Sequence, residues 1–227
     1  MTMNNVTTIR PRLPHLVVTT KSMDVLMDWY CNVLGMSLVH RTDTAPDDPK
    51  NTQNFKAAWV TNDATDHRLV LIELPEDVDP EEGDPEDEDY QRMPHFAFGF
   101  RHIDEVFSIY ARLKEQGILP VLCTDAGAKT AFYYEDPDHN SVELSVDNYG
   151  DSWTSDEHLQ RSSEFIKKPM GSVVDPDKLI AAREAGASAW ELHVQSWTGG
   201  FAPVEPGGEE LHIHVRPRNL RPGRFVG

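Results

Sequence analysis

The chain has 227 residues, of which 39% are hydrophobic and 26% are charged, and its formal net charge at pH 7 is −17. This length fits one large domain or two small modules, and no apolar run approaches the roughly 20 residues that span a bilayer, which excludes an integral membrane protein. The negative charge would repel a phosphate backbone, which argues against nucleic-acid binding.

The cysteines and the N-terminal residues indicate the compartment. The first fifteen residues lack the apolar stretch of a secretory signal. Cys31 and Cys123 form no CxxC pair and lie in apolar segments. A reduced, cytoplasmic protein is therefore the simplest interpretation.

An internal repeat with an offset of 80 residues organises the first two thirds of the chain. A Pro-His pair ending at His15 and another ending at His95 each precede an apolar, strand-like run. After each run, apolar residues recur with the i, i+3, i+4, i+7 spacing of a helix that buries one face. These residues are Leu26, Trp29, Tyr30 and Val33 in the first copy, and Val106, Ile109, Tyr110 and Leu113 in the second.

The ends of both helices carry typical signals. Asp24 and Asp104 lie in or just before the first turn, where a carboxylate interacts favourably with the helix dipole. Gly35 and Gly117 follow the last apolar positions and are expected to end the helices. Three short strand-like runs follow each helix. They are 36–40, 55–61 and 68–74 in the first copy, and 119–124, 130–134 and 141–146 in the second.

Both copies therefore have the order strand–helix–strand–strand–strand. The predicted fold is α+β, with two βαβββ modules that form a cupped mixed sheet around a shared cleft. We assign residues 1–85 to the first module and residues 90–150 to the second. The connector is the segment 76–89, in which ten of fourteen residues are acidic, as is typical of a solvated loop.

Residues 151–227 form an extension without the repeat pattern. Asp175–Ala185 is expected to be helical, with Pro176 near its start and Gly186 after its end. Ser188–Trp197 is a second candidate helix, and the segment from 199 to 227 is rich in Pro and Gly. We expect an appended arm that either covers the cleft or joins subunits.

Three side chains occupy equivalent inward positions in the two modules. His15 and His95 each belong to the first strand of a module, and Glu143 alternates with the apolar residues of the last strand. Two imidazoles and one carboxylate are the facial triad of non-haem Fe(II), which leaves coordination positions open. Mn(II) accepts the same ligands. The pattern therefore predicts a metal site within the cupped sheet.

These repeats and the segment from Phe132 to Glu143 (FYYEDPDHNSVE) resemble the vicinal oxygen chelate superfamily, and within it the type I extradiol ring-cleavage dioxygenases. The resemblance covers roughly residues 10–150 and implies that His15, His95 and Glu143 hold one metal ion. It further implies that O2 and a small catechol-like aromatic diol are the substrates, as in aromatic compound catabolism. Superfamily members commonly form oligomers, so a homo-oligomer is expected.

The resemblance also implies two catalytic residues. Tyr133 lies ten residues before the predicted ligand Glu143, and family members use a Tyr at this spacing to hold a substrate hydroxyl. His67 precedes an apolar strand, as the family's acid/base histidine does. An imidazole suits this role because its pKa lies near working pH.

The sequence departs from the family pattern in two places. A second histidine usually stands a few residues before the Tyr, and Ala126 is the best-placed residue here. The usual glycine of the Asp-Pro-x-Gly turn is His139, at a position where φ > 0 is expected. His139 is then either a turn substitution or a replacement for the missing histidine.

Two alternatives belong to other functional classes. If Glu73 mirrors Glu143 across the repeat, then His15, Glu73, His95 and Glu143 make a four-ligand site. Such a site resembles those of glyoxalase I and the epimerases, a metal lyase or isomerase acting on a hydroxycarbonyl substrate. The other alternative is a metal-free binding protein that sequesters a ligand, similar to the bleomycin-resistance proteins. No nucleotide-binding glycine pattern occurs.

Overall fold

The computed structural model describes residues 13, 15–42, 56–74, 95–163, 165, 168 and 171–204. The chain divides into two compact units, Met1–Glu81 and Glu82–Gly227. The predicted acidic connector 76–89 and the part of the predicted arm beyond residue 204 lie outside the described residues. No helix in the described part of the chain is long and apolar enough to cross a membrane.

The first unit contains a four-stranded mixed sheet and one helix. In chain order these elements are β1 (Leu16–Thr20), α1 (Met23–Leu34), β2 (Ser37–Arg41), β3 (Ala57–Thr61) and β4 (Leu69–Glu73). The strand order in the sheet is β1-β4-β3-β2. β1 pairs with β4 in parallel, whereas β4 with β3 and β3 with β2 are antiparallel pairs.

Helix α1 forms because its apolar residues recur on one face. Leu26, Tyr30 and Val33 of the predicted stripe are at most 1% exposed, and burying a side chain of this size contributes about 1.5–3 kcal/mol. The helix ends at Gly35, whose φ of 62° is left-handed and whose backbone N–H donates to the Tyr30 carbonyl. The predicted helix and its glycine stop are confirmed.

The second unit repeats this plan with a five-stranded mixed sheet. Its first elements are β5 (Phe96–Phe100), α2 (Ile103–Glu115), β6 (Leu122–Asp125), β7 (Lys129–Glu135), β8 (Ser141–Asp147) and, from the extension, β9 (Ser172–Val173). The strand order is β5-β8-β7-β6-β9, with β5 and β8 parallel. The α+β class and the two mixed sheets agree with the prediction.

Helix α2 repeats the features of α1. Val106, Tyr110 and Leu113 are buried. Gly117 follows the helix with a φ of 77°, and the next N–H, that of Ile118, donates to the Leu113 carbonyl. At the other end, the Glu105 carboxylate accepts hydrogen bonds from the backbone N–H groups of Arg101 and His102, just before the helix, as part of a capping box.

Three helices of the extension have described bounds, and the sequence predicted two of them. Both predicted helices are confirmed, as α4 (Pro176–Glu184) and α5 (Ala189–Trp197). The third, α3 (Ser152–Arg161), was not predicted. It begins at Asp151, whose carboxylate accepts a hydrogen bond from the Thr154 backbone N–H at 2.8 Å.

A buried polar cluster holds the extension against the second sheet. Asp125 at the end of β6 is fully buried, and its carboxylate lies 2.8 Å from Nδ1 of His193 on α5. The Asn148 amide also donates to Asp125, at 3.3 Å. Removing one partner of such a buried pair leaves an uncompensated polar group, which costs several kcal/mol. The extension is therefore an integral part of the second unit.

Candidate metal centre

His95 and Glu143 lie side by side in the second unit. Strands β5 and β8 are parallel neighbours, and their register pairs Ala97 with Glu143. His95 stands at the start of β5, and its Nε2 lies 3.1 Å from a carboxylate oxygen of Glu143. The structure therefore brings together two of the three predicted metal ligands.

Strand alternation places Glu143 on the face of the sheet opposite to α2. Its neighbours Val142 and Leu144 are fully buried and belong to the face on which α2 packs. Tyr133 of β7 is the direct cross-strand partner of Glu143, so both side chains emerge on the same face. This register agrees with the predicted alternation of Glu143 with its apolar neighbours.

The carboxylate of Glu143 is buried but well supplied with donors. Burial alone would raise its pKa, but hydrogen bonds from His95, Ser145 and Tyr133 outweigh burial and lower the pKa. The same contact raises the pKa of His95, with burial acting in the opposite direction. A buried anion and an imidazole in contact form a pair in which each partner favours the charged form of the other.

Tyr133 completes this group. Its ring meets the His95 ring edge to face, with 5.5 Å between the centroids. Burial, followed by the charge of Glu143, raises the pKa of the Tyr133 hydroxyl, and the hydroxyl also interacts with Thr124. Thr124 was not among the predicted site residues. A hairpin register that pairs Tyr133 with Leu122 places Thr124 on the same face as Tyr133.

In the first unit, His15 and His67 are brought together. Their ring centroids are 4.5 Å apart, and the rings are tilted by 36°. The parallel register of β1 and β4 pairs Leu16 with Leu69, so the residues that precede the two strands meet at the same end of the sheet. Nδ1 of His67 lies 2.7 Å from the Asp66 carboxylate, which orients the imidazole.

The predicted triad draws on both units. His15 belongs to the first unit, and His95 and Glu143 belong to the second. Within the described residues of either unit, no three His, Cys, Asp or Glu side chains form a group that could hold a metal ion. The three-residue metal site thus stays a prediction, of which the His95–Glu143 contact is the part that lies within one unit.

The register of the two sheets contradicts the alternative in which Glu73 mirrors Glu143. Leu16 pairs with Leu69 in the first sheet as Phe96 pairs with Val142 in the second, so the residue equivalent to Glu143 is Val70. Alternation along β4 shows which residues share a face with Glu73, but it does not give the register between strands.

Glu73 lies at the opposite end of β4 from His67 and has a structural role. It is paired with Thr20 at the end of β1. Its carboxylate accepts a hydrogen bond from the Met23 backbone N–H at 3.0 Å and another from Nζ of Lys56 at 2.6 Å. Glu73 therefore caps the start of α1, where a carboxylate also interacts favourably with the helix dipole.

Replacing Glu73 by alanine should lower the free energy of unfolding by about 1 kcal/mol, the usual cost of a lost N-terminal helix cap. Bound iron should be unchanged after reconstitution with Fe(II). Urea denaturation and metal analysis measure the two effects, with Glu115→Ala on the exposed end of α2 as the control. Loss of iron on the same scale as in a Glu143 variant would instead favour the four-ligand site.

The two departures from the family pattern, His139 and Ala126, lie in different turns of the second unit. His139 has the only positive φ among the described non-glycine residues, at 64°, and its Nδ1 lies 3.5 Å from the Glu135 carboxylate. It is thus a turn residue, as the first of the two predictions proposed. Ala126 lies in the β6–β7 turn, where its N–H donates to the Lys129 carbonyl, and Thr124 is the residue beside Tyr133.

Known proteins similar to this chain include two enzymes of Rhodococcus globerulus. Biphenyl-2,3-diol 1,2-dioxygenase 3 is 29% identical over 190 residues, which cover 84% of this chain and 91% of that enzyme. Biphenyl-2,3-diol 1,2-dioxygenase 2 is 28% identical over 201 residues, or 88% of this chain and 95% of that enzyme.

A solved structure and a family model also match. The glyoxylase/bleomycin resistance protein/dioxygenase domain from Frankia sp. EAN1pec has 16% identity and a TM-score of 0.46, with coverage of 63% of this chain and 96% of that chain. The family model named Glyoxalase/Bleomycin resistance protein/Dioxygenase superfamily matches residues 12–144, which is more than half of the chain. The chain therefore belongs to the glyoxalase/bleomycin resistance protein/dioxygenase superfamily.

Proposed function

We propose that the protein is an Fe(II)-dependent extradiol dioxygenase that cleaves the ring of a catechol-like aromatic with O2. The observation that carries this proposal is the group formed by His95, Glu143 and Tyr133 on one face of the second sheet. The two similar Rhodococcus enzymes, whose names describe dioxygenases acting on biphenyl-2,3-diol, support the same activity and substrate class.

His15, His95 and Glu143 would hold the metal ion. The fit rests on the donor set, because two imidazoles and one carboxylate are what non-haem Fe(II) takes and Mn(II) accepts, and on the 3.1 Å contact that already joins two of the three. When bound, the metal would act as a Lewis acid and as a template for the two substrates.

His67 and Tyr133 would act on the substrate directly. In the proposed mechanism, His67 takes a proton from a substrate hydroxyl and later returns one. Asp66, at 2.7 Å, keeps the imidazole oriented for both transfers. The Tyr133 hydroxyl donates a hydrogen bond to a substrate oxygen and so fixes the orientation of the ring.

The surface beside Glu143 is suited to a flat ligand. Ala97 and Gly99 of β5 share a face with Glu143 and are exposed. Among the described residues, apart from its chain neighbours, no atom lies within 4 Å of the position that a Cβ would occupy at Gly99. Two small, uncovered residues next to the predicted ligands leave room for an aromatic ring.

The register of the first sheet favours a dioxygenase over a glyoxalase- or epimerase-like lyase or isomerase. A four-ligand site needs a second carboxylate at the position equivalent to Glu143, and that position holds Val70. Three protein ligands leave more positions for a bidentate diol and for O2 than four do.

Oxygen uptake tests the proposed activity. The purified full chain is reconstituted anaerobically with Fe(II), and an O2 electrode then follows the reaction with biphenyl-2,3-diol, with resorcinol, a non-vicinal diol, as the control. We expect one O2 consumed for each vicinal diol, together with a yellow ring-opened product. Stoichiometric iron without O2 uptake on a series of catechols would favour a lyase or isomerase. Failure to bind metal would favour a binding protein that sequesters its ligand.

We also propose that the protein is cytoplasmic. Cys31 and Cys123 are both free thiols, which suits a reducing cytoplasm. We also propose a homo-oligomer, because superfamily members commonly form one.

A further inference from the structure

A cavity of about 400 Å³ lies in the second unit among α2, α4, α5 and the sheet. Thr130 and Val146, which are cross-strand partners on β7 and β8, contribute to its wall. Glu143 and Tyr133 form another cross-strand pair of the same two strands, at positions that alternation places on the opposite face. The cavity is separate from the His95–Glu143 group, because none of His95, Tyr133 and Glu143 lines it.

One buried polar group in the wall lacks a hydrogen-bond partner in the described part of the chain. Ser196 on α5 is 1% exposed and lines the cavity. Its hydroxyl has no hydrogen-bond partner among the described residues. An unsatisfied buried hydroxyl costs roughly 1–3 kcal/mol, and native structures contain few of them. A ligand in the cavity would supply the missing partner.

One part of the wall is apolar and aromatic. Phe107, Leu179 and Leu192 are buried, and the rings of Tyr149 and Trp190, whose centroids are 5.6 Å apart, complete this part of the wall. Aromatic walls of this kind contact flat ligands over large areas. The volume also falls within the range of small-molecule sites, which is about 300–1,000 Å³.

The charged groups of the wall are balanced. Arg183 makes two hydrogen bonds of 2.8 Å to the carboxylate of Asp104. The second aspartate, Asp147, accepts hydrogen bonds from the backbone N–H groups of Tyr149 and Gly150. Arg101 interacts with Glu105 beside the cavity. With two arginines and two aspartates in its wall, the cavity favours neither an anion nor a cation.

We propose that this cavity binds a small neutral aromatic molecule that carries one hydrogen-bonding group. The ring packs between Phe107, Leu192 and Trp190, and the polar group pairs with the Ser196 hydroxyl. This site is additional to the proposed metal centre and does not depend on the dioxygenase activity.

Indole is the probe, because it is neutral, carries one N–H donor and lacks the oxygen atoms that bind a metal. Isothermal titration calorimetry on the full chain should give one site for indole. Indole-3-acetate and tryptamine add a negative and a positive charge to the same ring and should bind at least about tenfold more weakly. Equal or tighter binding of either charged compound would overturn the proposed preference for a neutral ligand.

Three variants of α5 locate the site. Ser196→Ala should weaken indole binding about three- to tenfold, the equivalent of one hydrogen bond. Thermal stability should not fall, because the hydroxyl pairs with none of the residues that the structure describes. Ala189→Trp, at an exposed position in the wall, should abolish binding. Val194→Ala, on the same helix outside the wall, should bind indole normally. Absence of indole binding, or binding that Ala189→Trp leaves intact, would overturn the proposal.

Discussion

Replacing Glu143 by glutamine is expected to reduce ring cleavage by at least about a thousandfold and Fe(II) affinity by more than about 100-fold. Loss of a hydrogen-bond partner that only supports a metal ligand already costs about 10–100-fold in affinity. Glutamine keeps the size of Glu143 but removes the negative charge that faces Nε2 of His95 at 3.1 Å. Iron content after gel filtration and O2 uptake with biphenyl-2,3-diol measure the two effects.

The matched control for Glu143→Gln is Glu115→Gln, at the exposed C-terminal end of α2. That variant loses the same charge and should keep normal iron content and turnover. If Glu143→Gln retained both, Glu143 would be a structural partner of His95, and the proposed metal centre would have to be abandoned.

Replacing His67 by alanine should lower turnover by about 10²–10⁴-fold, the usual contribution of a general acid/base. Iron content should stay normal, because His67 is not itself in the predicted triad, although its ring centroid lies 4.5 Å from that of the predicted ligand His15. Steady-state O2 uptake and metal analysis of the same preparation separate chemistry from metal binding.

His40 provides the comparison for His67→Ala. It is an exposed histidine of the same unit, and its ring lies 5.4 Å from that of Trp59. His40→Ala should leave turnover unchanged within about twofold. Retained turnover in His67→Ala would remove His67 from the mechanism, whereas loss of iron from it would make His67 a supporting residue of the metal centre.

The repeat gave most of the fold because local signals agree with each other. The helical stripe that includes Leu26 and Tyr30 has its stop signal at Gly35, and both features recur 80 residues later. Helix α3 has no such stripe, since Ser155 is its one buried position among those described. Its cap at Asp151 was the only signal available, and a cap alone does not distinguish a helix from a turn.

The pairing of Tyr133 with Glu143 can be predicted from the sequence, because a single hairpin determines it. A turn centred on Asp138 pairs residues that lie five positions before and after it, and these are Tyr133 and Glu143. The position of Glu73 depended instead on the parallel pairing of β1 with β4, which are separated by a helix and two strands. Periodicity carries no information on the register of such distant strands.

The presence of Val70 at the position equivalent to Glu143 has an electrostatic consequence for the proposed centre. Two neutral imidazoles and one carboxylate compensate half of the charge of a divalent cation, whereas a second carboxylate would make the assembly electroneutral. The remaining positive charge attracts an anion. A deprotonated diol would thus be held more tightly than its neutral form, and an uncharged analogue of the same shape would be a poor competitor.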